Sequence, residues 1–190
     1  MKKLIIALGV VALAAGVQAA AFNWTTSGTN ASKTFYGPDG ASLLTSGTVV
    51  YLLDASVSGN SQSDLVAGFR SGKAIGDFAT ITSTTVDANS RLTAKGFEYG
   101  AAGNNYDLYM AIVVDDNVFV SASKTVLAQQ ADTVSVQFSS IKSVTQTLNA
   151  DAAYSGAGWY STASAPVPEP TSGLLMLLGM AGLALRRRRA

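Results

Sequence analysis

The chain has 190 residues, no cysteine, no histidine and a formal charge of +1. Those two absences exclude a disulfide framework, thiolate- or histidine-ligated zinc, a cysteine nucleophile and a Ser-His-Asp triad. Six of the 13 bases (Lys2, Lys3 and Arg186 to Arg189) but only Glu169 of the 12 acids lie in the terminal tails, so the middle holds seven bases against eleven acids, near −4, and lacks the basic footprint that nucleic-acid binding requires.

At the start, Met1-Lys2-Lys3 leads into apolar and small residues from Leu4 to Val17, followed by Gln18-Ala19-Ala20. A short basic segment, an apolar run and small residues at the −3 and −1 positions describe a secretory signal peptide over residues 1–19. Signal peptidase is expected to cut between Ala19 and Ala20, with a second junction after Ala21. The apolar run is short beside the roughly 20 residues of a membrane span.

Residues 20–164 read as one β-rich extracytoplasmic domain, long enough to bury its own core. Serine and threonine number 38 in the chain, and Thr, Val, Ile and aromatics suit a pleated surface. Thr48 to Leu53 is almost wholly apolar and predicts a central strand covered on both faces. Ser61 to Ser71 predicts the one helix, with Ser61 or Ser63 capping it, Leu65, Val66 and Phe69 on one face and Gly72 ending it. Thr80 to Val86 is β-branched and polar, as an edge strand would be. Leu92 to Tyr99 predicts a strand with Lys95 and Glu98 outward. Tyr106 to Ser123 predicts a hairpin turning at Asp115-Asp116-Asn117, and Val134 to Phe138 alternates as a half-buried strand does. The expected fold is mainly all-β: a single antiparallel sandwich or small barrel with one short helix, flanked by an N-terminal signal helix and a C-terminal membrane helix.

The last segment, residues 165–190, has a different order of parts. Val167-Pro168-Glu169-Pro170 precedes an apolar stretch, Gly173 to Leu185, and then Arg186-Arg187-Arg188-Arg189-Ala190. The prolines keep the first part extended. The 13 apolar residues would cover about 20 Å as a helix, against a hydrocarbon core of about 30 Å. Four arginines resist translocation and hold that end in the cytoplasm. The arrangement resembles the PEP-CTERM sorting signal of Gram-negative envelope proteins. The resemblance implies recognition by an exosortase, cleavage near Pro-Glu-Pro after transient anchoring in the membrane through residues 173–185, delivery to the envelope, surface or exterior, and an association with exopolysaccharide.

Within the body, each chemical motif has a structural competitor. Asp115-Asp116-Asn117 offers oxygens to calcium, but Asp and Asn are also the ordinary turn formers. Ser71 and Lys73 form a Ser-Lys pair in sequence where the helix should stop. Gly156-Ala157-Gly158-Trp159-Tyr160 has neither the lysine nor the helix of a phosphate loop. No catalytic, cofactor or metal residue is assigned. The leading expectation is a noncatalytic surface or matrix protein with a structural or adhesive role. The alternative is a carbohydrate-binding module using Trp24, Tyr106, Tyr154, Trp159 and Tyr160 as stacking platforms. A carboxylate-based hydrolase ranks third.

Overall fold

The computed structural model describes residues 19–26, 34–130, 132–142 and 154–163. Nine strands and one α-helix follow in order: β1 (Ala19–Thr26), β2 (Val49–Asp54), α1 (Gln62–Arg70), β3 (Thr80–Thr85), β4 (Lys95–Ala101), β5 (Asn105–Val114), β6 (Asn117–Val120), β7 (Lys124–Leu127), β8 (Val134–Phe138) and β9 (Gly158–Ser161). They form a three-stranded sheet, β4-β1-β8, and a six-stranded sheet, β3-β2-β5-β6-β9, in which β7 pairs with the first half of β5.

Period-two alternation explains the layering. Along β5, Leu108, Met110 and Ile112 face the inter-sheet core, where they meet Ala20, Phe22 and Trp24 of β1 and Val136 and Phe138 of β8. The intervening Tyr109 and Ala111 face the other way and pack with Leu53, Val118, Val120 and Tyr160 against Leu65 and Val66 of α1. A strand whose side chains alternate between two apolar environments must be nearly continuous in apolar residues, which is the pattern of β2 and β5. The helix therefore covers the outer face of the larger sheet, making a third layer.

Local chemistry places α1. Ser61 is extended (φ −61°, ψ 156°), and its side chain accepts from the Asp64 N–H. Asp64 lies in the first turn and Arg70 in the last, matching the helix dipole. Gly72 follows with φ +88°, a backbone state cheap only for glycine.

Two sequence expectations need correction. The sandwich is not purely antiparallel: β1 runs parallel to β8, with Phe22 opposite Val134 and Thr26 opposite Phe138. Parallel neighbours need a long crossover, so no local turn signal announces them. The hairpin turn is tighter than Asp115-Asp116-Asn117, because Val114 pairs directly with Asn117. Asp115 takes φ +48°, as two-residue hairpin loops favour, and Asn117 joins the ladder. The remaining body elements follow the expected order: β2 is flanked by β3 and β5, β3 is an edge, Lys95 and Glu98 are exposed, and β8 alternates exposed Ser135 and Gln137 with buried Val136 and Phe138.

Among the described residues no helix is long and apolar enough to cross a membrane. The expected signal helix (residues 1–18 of 1–19) and membrane helix (173–185) lie outside those residues.

Candidate functional site

The sorting residues Val167, Pro168, Glu169, Pro170 and Arg186 to Arg189 lie outside the described residues. Among the described residues the last strand is β9, antiparallel to β6 with Ser161 opposite Asn117. The Thr162 N–H donates to the Asp116 carbonyl at 2.7 Å, which holds the end of this described segment beside the β5–β6 turn. At the other end, Ala19 and Ala20 begin β1: Ala19 is exposed opposite Ala101, whereas Ala20 is buried opposite Tyr99.

The body candidates are occupied by structural tasks. The Ser71 hydroxyl donates to the Gly68 carbonyl at 2.8 Å, while the Lys73 ammonium sits 5.5 Å from the centre of the Phe78 ring, so the two do not form a nucleophile and base. Asp115 and Asp116 are exposed at the hairpin tip, and among the described residues no three acidic side chains gather as a metal site would require. Trp24, Trp159 and Tyr160 are buried. Trp24 packs edge-on against Phe138, and Trp159 edge-on against Phe119. Tyr106 and Tyr154 are half-buried. Tyr106 accepts from the Ala101 N–H at 2.7 Å, and Tyr154 rests on Tyr160 with ring centres 5.6 Å apart. None of the five aromatics presents the fully exposed ring face that a stacking platform uses.

Three polar features escaped sequence reasoning. Asp54 is the one buried carboxylate among the described residues. Its Oδ1 accepts from the N–H and hydroxyl of Ser56 at 2.8 and 2.6 Å, and its Oδ2 accepts from the Tyr99 hydroxyl at 3.0 Å. Burial first, and then the hydrogen bond and charge of Asp54, push the Tyr99 phenol up to about 12. Asn60, also buried, donates to the Ala79 carbonyl and accepts from the Ala79 N–H, while its own carbonyl accepts from Tyr109. Burial raises the Tyr109 phenol well above its ordinary range. Ser121 repairs the ladder where β6 gives way to β7: its hydroxyl accepts from the Met110 N–H at 2.8 Å and donates to the Ala122 carbonyl at 2.9 Å. At that same break a cavity of about 180 Å³ opens between the sheets.

A family model, the PEP-CTERM protein-sorting motif, matches residues 166–189. The match begins at Pro166 and ends at Arg189, so it contains the Pro-Glu-Pro triplet, the apolar stretch and the arginine cluster. No curated protein and no solved structure matches the chain.

Proposed function

We propose that the chain is an exported cell-surface or matrix protein, processed by an exosortase, whose β-sandwich acts without catalysis in adhesion or as structural material alongside exopolysaccharide. The observation that carries this reading is the sorting motif at residues 166–189, because a sorting signal of this kind implies export to the envelope or surface. A body in which the Ser71 hydroxyl, the Lys73 ammonium and the Asp54 carboxylate all serve the fold supports the noncatalytic part. Among the described residues Asp54 is the one buried carboxylate, and its two oxygens are taken up by Ser56 and Tyr99.

Mass spectrometry of the mature protein from its native cells tests the processing step. The expected C-terminus falls near Pro168 to Thr171. Replacing Arg186 to Arg189 by alanine removes the charges that oppose translocation, so unprocessed or misrouted protein should accumulate. An intact Arg189-Ala190 end in the mature wild-type protein would overturn the reading.

A further inference from the structure

The last described strand is held from two sides. β9 pairs with β6 along its whole length, and its rings Trp159 and Tyr160 are buried. The Arg70 Nε–H of α1 donates to the Ser161 carbonyl at 3.1 Å, and the Thr162 N–H to the Asp116 carbonyl at 2.7 Å. Peeling β9 away would return two aromatic rings to water and break the ladder with β6, so this strand does not yield slack easily. The family match begins at Pro166, and Pro168 opens the Pro-Glu-Pro triplet. Only residues 163–167 separate Thr162 from Pro168. Whatever path those residues take, backbone geometry at ~3.6 Å per residue keeps Pro168 within about 22 Å of Thr162.

We propose that the β5–β6 turn is the surface of the body that meets the exosortase, and that the length of chain between Thr162 and Pro168 therefore governs cleavage. A peptide groove that grips even three residues before the cut takes up about 10 Å of extended chain. For a cut at the triplet, about 12 Å is then left between the groove and Thr162. That is roughly the diameter of one helix, too little to hold a folded domain clear of an enzyme. Because Thr162 is bonded to Asp116, the part of the body brought up to the enzyme is the turn from Val114 to Asn117 together with Ser161 to Ala163. That surface suits a hydrated protein rim rather than lipid. Asp115, Asp116 and Ala163 are exposed, Val114 is half-buried, and no large apolar side chain of the turn is exposed. The inference rests on exosortase processing and adds to it the face of the substrate that the enzyme meets.

Full-length chains expressed in the native cells would be followed by pulse-chase, with the mass of the mature form as readout. Deleting residues 163–165 leaves the matched motif intact and cuts the reach to about 11 Å. The deletion should slow processing at least about tenfold, since displacements of ångströms at the reacting bond suffice for such losses. Inserting a flexible Gly/Ser segment after Ala163 should keep processing at the wild-type rate or faster. Emission from the two buried tryptophans should match the wild type in both chains. A second pair of variants loads the surface itself. The chain has no cysteine, so Asp116→Cys can carry biotin and streptavidin at the turn while its backbone carbonyl still accepts from Thr162. Asn104→Cys carries the same load at an exposed position just before β5, the length of that ten-residue strand away, or about 33 Å. With membranes of the native cells as the source of enzyme, the load at position 116 should block cleavage and the load at position 104 should not. Normal processing of the deleted chain, or equal effects of the two loads, would overturn the inference and leave sorting intact. A wild-type chain that is never cut would overturn both.

Discussion

The Asp54 carboxylate joins the two sheets through one hydroxyl, since Asp54 ends β2 of the larger sheet and Tyr99 belongs to β4 of the smaller. Tyr99 also meets Tyr106 edge-on, at 5.2 Å between ring centres. Gly100, next to it, has φ +60°, and a Cβ there would run into the Tyr106 ring. A raised phenol pKa means that the fold favours the neutral form. The stabilisation is therefore complete below the free phenol value of 10.0 and is lost as pH rises through about 12. Asp54→Asn removes the charge but not the burial, which is the larger cause. The Tyr99 titration, read from ring carbon shifts, should move down only part of the way toward 10.0. Asp54→Leu leaves the Ser56 and Tyr99 donors without their acceptor. Such a loss should cost about 1–3 kcal/mol in urea unfolding, and an unchanged midpoint would show that this contact holds nothing together.

At the scale of elements, legibility followed the range of the chemistry. The helix could be read because its cap, dipole charges and terminating glycine lie within twelve residues. Ser61→Ala removes the acceptor of the Asp64 N–H and should lower stability by about 1 kcal/mol, measured by thermal unfolding. A change below a few tenths would mean that Ser63 or water takes over the cap. The β5–β6 hairpin was equally local. By contrast, β1 reads Ala-Ala-Ala-Phe-Asn-Trp-Thr-Thr, and its first alanines resemble the end of a signal peptide more than a strand. Its partners lie about 75 and 110 positions further along the chain, so nothing near it in sequence declares the pairing. β7 and β9, each of four residues, are too short to show a period. The ladder repair by Ser121 cannot be seen among 38 serines and threonines until its partner Met110 is known. Both tryptophans, at the two ends of the body, are buried; seen from sequence they served equally well as core or as surface platforms.

For the molecule as a whole, β1 lies at the centre of the smaller sheet, so the expected signal-peptide junctions fall within a strand of the fold. β1 holds β4 on one side and β8 on the other, and its inward side chains Ala20, Phe22 and Trp24 belong to the inter-sheet core. The two candidate signal-peptidase junctions differ in what they remove. A cut after Ala19 keeps every inward residue of β1. A cut after Ala21 also removes Ala20, which is 1% exposed, together with the register pairs Ala20 to Tyr99 and Ala21 to Glu98. Those pairs include the backbone beside the Tyr99 side chain that binds Asp54, so the losses should reinforce one another rather than add independently. A chain beginning at Phe22 should therefore be less stable than one beginning at Ala20 by about 1–3 kcal/mol, the range for lost ladder bonds and a buried methyl group. Paired urea denaturation curves would measure the difference, and N-terminal sequencing of the exported protein should find Ala20 first. Equal midpoints for the two chains would mean that β1 contributes through Phe22 and Trp24 alone, and that the fold places no constraint on where the signal is cut.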